Sequence, residues 1–512
     1  MTGRRFFITT AIDYANGDPH LGHALEKIGA DAIARFHRAI GADVHFLIGM
    51  DEHGQKVART AAEAGVSPQE FVDVIADRFS STWKRLGISN DEFVRTTSPQ
   101  HKTAVRELIE MVFAKNPDDF YEKSYTGQYC VGCEAFKTDA EIVDGHCVLH
   151  PTRTIETVEE RNWFFRLSRY TAPLKQLFAD RPDFLAPESR RNEILSLLDE
   201  GLDDISASRA RFTWGVPFPR PLSTGETQTI YVWFDALPNY WTVTRRAGAV
   251  AQWPAQVHVI GKDITRFHAI IWPAMLMSAG LPVPEHVWAH GFISLGGERF
   301  SKSAGVKLEL DQVMNEFGVD AFRYYLLRDV PFDGDGNFSW ERFGEVYDGD
   351  LANALGNLAS RATAMIEKYF GGDVPDAPLG AHDASVRAGI ARAFASVTGT
   401  AGFPLHEAIA HTMATVRDTN EFVQRSQPWA LAKDDARRAE LAQVLATTMR
   451  ALALQAVALA PIMPEKSQEL WRMLGGPGIV HAQRWDPDFV PPVAGWRVTK
   501  GAALFPKPER PT

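Results

Sequence analysis

His20 and His23 stand three residues apart in His20-Leu21-Gly22-His23, just after the turn-forming run Asn16-Gly17-Asp18-Pro19. Imidazoles at a helix start can serve phosphate, because unpaired amides and the helix dipole already favour an anion there; the same pair can also simply cap or pack the helix. Much later, Glu298-Arg299-Phe300-Ser301-Lys302-Ser303 gathers two cations and two hydroxyls ahead of Ala304-Gly305. Such a loop suits clamping a polyphosphate, with lysine acting as a point charge; taken alone, it reads equally as a solvated surface loop. Asp51, in Met50-Asp51-Glu52-His53-Gly54, is a candidate to receive a cationic group, or else to cap a helix starting near Gln55. Cys130-Val131-Gly132-Cys133 is followed, after thirteen residues, by Cys147-Val148-Leu149-His150. Two pairs with two-residue spacers can fold as two knuckles around one tetrahedral zinc, and four protein ligands make such a zinc structural rather than catalytic. His146 would break the spacing, so Cys130, Cys133, Cys147 and His150 form the expected shell.

These residues need elements to hold them. Arg4 to Ile12 is β-branched and aromatic and reads as a buried strand. Apolar residues at 21, 25, 28, 32, 36 and 40 then give helical spacing ended by Gly41, and Asp43 to Gly49 reads as a second buried strand. Strand, helix and strand of this length predict a βαβ unit with parallel strands, its carboxyl ends carrying the ligand site. Helices are expected over 68–87 and 100–114. Sheet patterning resumes at Thr229 to Asp235, Val257 to Ile260 and around Val287–Ile293, with a helix from Ile264 to Ala279 broken near Trp272-Pro273 and carrying His268. From about residue 311 the chain reads as helical to its end, an antiparallel bundle with helices near 384–400, 405–425, 436–460 and 464–474. The spacing predicts α/β segments at 1–114 and 229–310, split by an insertion at 115–228, then a connecting region at 311–350 and an all-α domain at 351–512.

Composition sets outer limits. The 512 residues are too many for one ordinary core, and 45% hydrophobic with 23% charged residues leaves no case for extended disorder. No apolar run approaches the ~18 residues of a membrane span, and no signal peptide opens the chain, so a cytoplasmic protein is expected. A net charge of −10 argues against a nucleic-acid coat protein but leaves room for an enzyme with local basic patches. All three cysteines fall between residues 130 and 147, which is not a disulfide framework.

Taken together, the motifs resemble class I aminoacyl-tRNA synthetases, and within them the methionyl-tRNA synthetase family, over nearly the whole chain. His20-Leu21-Gly22-His23 is similar to the first class signature, H-I-G-H, and Arg299-Phe300-Ser301-Lys302-Ser303 to the second, K-M-S-K-S, in the family's order. The resemblance implies a Rossmann-like parallel-sheet catalytic domain split by a zinc-bearing insertion, a linker over 311–350 that contacts the tRNA stem, and a helical anticodon-binding domain. Ala11 to Asn16 resembles the family's A-L-P-Y-A-N stretch, so Ala11, Ile12 and Tyr14 would line the amino-acid pocket and Asp51 would receive the substrate ammonium. Tyr231 to Tyr240 matches an aromatic segment supplying Trp233 and Tyr240. Gly261-Lys262-Asp263-Ile264 with His268 matches a segment whose aspartate touches the adenosine ribose and whose isoleucine and histidine close the pocket. Aromatic walls around a polarizable cavity suit a thioether, and homocysteine, one methyl shorter, is the expected error substrate.

The implied reaction joins L-methionine to ATP, with Mg2+, and passes the methionyl group to tRNA(Met). His20, His23 and Lys302 would serve the phosphates and Asp263 the nucleoside. In the bundle, Asn357, Arg361 and Trp429 match positions that contact or stack on the anticodon, although Trp429 alone would read as a core aromatic. Some positions depart from the family pattern. Arg299 and Phe300 replace lysine and methionine, Leu237 interrupts the aromatic segment, and His150 stands where many relatives have a fourth cysteine. The chain stops soon after the bundle, without the further tRNA-binding and dimerisation module of longer members, which implies a monomer. The competing readings are a synthetase for leucine, isoleucine, valine or cysteine, a tRNA-binding protein without catalysis, and a non-tRNA nucleotidyltransferase. The short insertion argues against the first, His20, His23 and Lys302 against the second, and the zinc knuckle and bundle against the third.

Overall fold

The computed structural model describes residues 4–506 apart from 131–134, 138–140, 149, 211, 246–252, 296–297, 300–309, 332–333, 400–401 and 500. Cys133 and Lys302 therefore lie outside the described residues, as do the side chains of His150 and Arg299.

The central sheet is parallel and runs Glu92–Arg95, Asp43–Asp51, Arg5–Thr10, Val257–Gly261, His286–His290, with Leu185–Ala186 at the far edge. Numbered along the chain, the five main strands stand in the order 3-2-1-4-5. The strand order reverses between Arg5–Thr10 and Val257–Gly261, and the crevice beyond the carboxyl ends at such a reversal is where open α/β sheets bind ligands. The first strand is apolar and almost wholly buried because the sheet is covered on both faces. Leu21–Ala39 is buried along nearly its whole circumference, Glu26, Lys27 and Asp31 included, since sheet packs on one side of it and helices on the other.

The insertion forms a long antiparallel ribbon, Phe120–Cys130 with Glu156–Phe165, and a small sheet of Ile142–Val143, His146–Cys147 and His150–Thr154. Leu185–Ala186 falls inside the 115–228 stretch yet already belongs to the central sheet, pairing with Val287 and Trp288. Thr229 to Asp235 is not one strand. Only Thr229–Ile230 pairs, with Ser208–Arg209, and Val232–Ala236 is a helical turn; its aromatic and β-branched composition mimics a strand, but tertiary packing overrides that preference. The expected break at Trp272-Pro273 is a π-helical turn, Phe267–Ile271, leading into Trp272–Ala279 with proline at its start, where no amide hydrogen is needed. The strand expected around Val287–Ile293 is two, His286–His290 and Ile293–Leu295.

The C-terminal region is helical over Ala381–Thr398, Leu405–Ser426, Arg438–Leu459 and Pro464–Met473. It is not helical throughout. Gly336–Phe338 is a strand parallel to Ile293–Leu295, and the segment after Met473 is largely irregular, bridging back from Arg497 to Asp373. Among the described residues one helix, Asp435–Leu459, is long and apolar enough to cross a membrane; 89% of its apolar window is buried inside the protein, as a bundle-core helix should be.

One buried cation ties the two halves together. Arg323, on Val319–Asp329, donates from Nη2 to Asp31 of the Leu21–Ala39 helix at 2.6 Å, from Nη1 to the Leu86 carbonyl at 3.1 Å, and from Nε to the Ile462 carbonyl at 2.8 Å. Burial alone would raise the Asp31 pKa, but Arg35, Arg323 and hydrogen bonds from Ser89 hold it at about 2.

Candidate active site

A cleft of about 510 Å³ opens at the reversal of strand order. It is lined by Ala11, Ile12 and Tyr14 from the end of the first strand, by His20 and His23 from the helix start, and by Asp51 from the end of the second strand. Trp233 and Tyr240, and then Asp263, Ile264 and His268, complete its far side. All eleven described residues expected to hold methionine or nucleotide thus share one cavity. The Arg299 backbone lies in a strand pair with Ile293–Leu295, on the chain that leaves the cleft at Gly291 and Phe292.

His20 takes the capping role the sequence allowed and also lines the cleft. It is the N-cap of Leu21–Ala39 rather than part of its first turn, and its Nδ1 accepts from the amides of Gly22 at 3.1 Å and His23 at 3.4 Å. The His20 amide in turn donates to Nδ1 of His23 at 3.3 Å, and the two rings stack at 3.6 Å. With both Nδ1 atoms accepting, the proton of each neutral ring sits on Nε2. A Cβ at position 22 would lie 3.1 Å from the His20 ring, which would have to give by a few tenths of an ångström. For Asp51 the capping alternative falls away: Gly54 is the N-cap of Gln55–Glu63, and Asp51 closes its strand at the cleft wall.

The aromatic wall is held by a chain of defined protons. His268 Nδ1 faces the Ile264 carbonyl at 3.1 Å and must donate to it, so Nε2 accepts from the Tyr240 hydroxyl at 2.8 Å. His258, stacked on Tyr240 at 4.1 Å, accepts the Trp272 indole N–H at Nε2 and therefore donates from Nδ1 to Thr9 Oγ1 at 2.7 Å. Burial pushes His268 down to about 4 and His258 well below the usual imidazole range, so both rings are neutral at physiological pH and the wall stays uncharged, as an apolar side chain requires. Trp233 lies flat on Phe267 at 3.6 Å and edge-on to His268.

Several supporting residues were not evident from sequence. Asp235, on the same helical turn as Trp233, is gripped by His53 Nδ1 at 2.5 Å and His101 Nε2 at 2.9 Å. Burial alone would raise its pKa, but those two rings hold it well below the usual carboxylate range. Glu26, Asn239 and His290 also line the cleft. Their only signal was spacing: Glu26 lies one turn beyond His23, on the same face of the helix.

At the knuckle, Cys130 ends the long ribbon strand and Cys147 pairs in register with His150 across a tight turn. Both described thiols are buried. Two buried thiols, one of them in register with the backbone of His150, are donor types that tetrahedral metal sites use; among the described residues no group of three or more such donors comes together. In the bundle, Asn357 and Arg361 are exposed four residues apart at the start of Asn357–Phe370. Trp429, on Pro428–Leu431, is 37% exposed and is not a core aromatic.

The family model for class I tRNA synthetases (M) matches residues 6–154 and 143–363, and one for the anticodon-binding domain of tRNA ligases matches 397–499. The chain belongs to the methionyl-tRNA synthetase family. The methionine–tRNA ligase of Streptomyces coelicolor is 41% identical over 99% of this chain and 97% of its own. That of Thermosynechococcus vestitus is 40% identical over 98% and 94%. The solved methionyl-tRNA synthetase of Mycobacterium tuberculosis in complex with methionyl-adenylate superposes with a TM-score of 0.91 at 38% identity, covering 98% of this chain and all of that one. The apo form of the same protein gives 0.86 at 35% identity, with 99% of each chain covered. The parallel α/β domain and the helical C-terminal region are those of a methionyl-tRNA synthetase.

Proposed function

We propose that this protein activates L-methionine with ATP, forming methionyl adenylate and pyrophosphate, and transfers the methionyl group to the 3′ end of tRNA(Met). The observation that carries the reading is the cleft at the strand reversal, where a neutral aromatic wall, a carboxylate and a histidine pair at a helix start meet. The thioether packs between Trp233, Tyr240, Ile264 and His268, against Ala11, Ile12 and Tyr14, and Asp51 receives the ammonium. The substrate carboxylate attacks the α-phosphorus, and the bond to the leaving pyrophosphate breaks. Positioning and charge stabilisation carry this step. His20 and His23 donate from Nε2 to phosphate oxygens, Asp263 holds the ribose, and Lys302, with Arg299 beside it, follows the departing phosphates. ATP enters as its Mg2+ complex, and the metal supplies further neutralisation of phosphate charge.

Cys130, Cys133, Cys147 and His150 would hold one Zn2+ that fixes the knuckle and takes no part in the reaction. Asn357, Arg361 and Trp429 read the anticodon, an arginine plane and an exposed indole being what unstacked loop bases require. The chain acts as a monomer in the cytoplasm.

Charging of tRNA(Met) with labelled methionine tests the reading. Trp429→Ala is expected to lower charging kcat/KM by about tenfold to a hundredfold while leaving adenylate formation unchanged. No charging of tRNA(Met) by the unaltered protein would overturn it.

A further inference from the structure

Behind the cleft lies a cluster of charge that the reaction itself does not use. The Lys27 side chain is fully buried, and those of Asp13 and Glu26 are nearly so. Lys27 Nζ donates to the Ala11 carbonyl at 2.9 Å, to Asp13 Oδ1 at 2.9 Å and to Glu26 Oε1 at 2.7 Å, which uses all three of its hydrogens. The second Asp13 oxygen accepts the Trp83 indole at 3.2 Å, and the second Glu26 oxygen faces His290 Nε2 at 3.4 Å. Ala11, Asp13, Glu26 and His290 line the cleft, whereas Lys27 stands behind them.

A buried ion cluster is a poor stabiliser, since apolar side chains of similar volume commonly do as well or better. Its value here is geometric. One ammonium reaches the end of the strand that forms the methionine wall and, through Glu26, the face of the helix that begins at His20 and His23. We propose that Lys27 is a positioning residue for the activation step, holding the Ala11–Asp13 segment and Glu26 in one frame so that the methionine wall and the phosphate-serving histidines keep a fixed relation. The inference rests on the function proposed above.

Methionine-dependent pyrophosphate exchange and thermal melting of the full chain test it, with kcat expressed per active site by adenylate burst titration. Lys27→Met alone strands two carboxylates and is expected to lower both melting temperature and activity. The deciding variant is Asp13→Asn/Lys27→Met, which removes the ammonium together with one of its two carboxylates, leaves Glu26 facing His290 and leaves an acceptor for Trp83. It is expected to melt closer to the unaltered protein than Lys27→Met does, yet to raise KM for methionine about tenfold and lower kcat at least tenfold. Its discrimination against ethionine and norleucine is expected to relax severalfold. Asp13→Asn alone keeps the Lys27 ammonium, its bonds to Ala11 and Glu26 and one acceptor oxygen at position 13, and is expected to lose less than about threefold. Unchanged KM and kcat in the double variant, or activity that returns in step with melting temperature, would overturn the proposal. No exchange with methionine in the unaltered protein would instead overturn the functional reading beneath it.

Discussion

The protons of the aromatic wall are fixed by their partners, a backbone carbonyl at His268 and side chains at His258, and burial of the wall has a measurable consequence at His268. Its folded pKa is about 4 because burial disfavours the imidazolium, whereas an unfolded chain would protonate it near 6.5. As pH falls below about 6.5 the unfolded state binds the proton first, so this ring withdraws stability progressively until about pH 4. His268→Gln is therefore expected to lose less stability than the unaltered protein between pH 7.5 and 4.5, by about 3 kcal/mol at full effect. Urea melts at the two pH values check this, and parallel losses in both proteins would contradict it. The role proposed for Lys302 is to meet charge that develops only as pyrophosphate leaves. Lys302→Met is expected to lower the adenylation rate about a hundredfold or more while methionine affinity changes little. Pre-steady-state burst kinetics with equilibrium methionine binding separate the two, and equal losses in rate and affinity would remove that role.

At the scale of elements, the strand–turn–helix of residues 5–39 was legible because its strand is continuously apolar and its helix has a clear repeat. His20 could be read as a cap or as a phosphate ligand, and the structure shows the cap, made through Nδ1. Glu26 and Lys27 were not legible: a Glu-Lys pair in a helix ordinarily marks a solvated face, and only three-dimensional packing shows this helix to be enclosed. The Thr229–Asp235 segment misled for a related reason, since aromatic and β-branched residues favour strands locally while the cleft needs Trp233 on a helical turn. The proposed zinc knuckle rests on spacing alone. Metal analysis is expected to give one zinc per chain for the unaltered protein and substantially less for Cys147→Ser, with the rest of the fold retained because the knuckle is a separate small sheet.

At the scale of the whole molecule, Arg323 joins the catalytic helix, the segment after the second signature and the bundle through Asp31, Leu86 and Ile462. Arg323→Met leaves Asp31 with Arg35 and Ser89 and frees buried carbonyls, an expected cost of roughly 3–5 kcal/mol. Calorimetry is expected to resolve separate transitions for the two halves in that variant, where the unaltered protein shows closer coupling; a single unchanged transition would contradict this. Such a junction was invisible in sequence because its partners lie 139 to 292 residues apart. The central claim concerns the chemistry of the cleft, and exchange of labelled pyrophosphate into ATP, run with each of the twenty amino acids, tests it most directly. Exchange is expected with methionine, at a rate far above the other nineteen; equal or faster exchange with another amino acid, or none with methionine, would contradict the account.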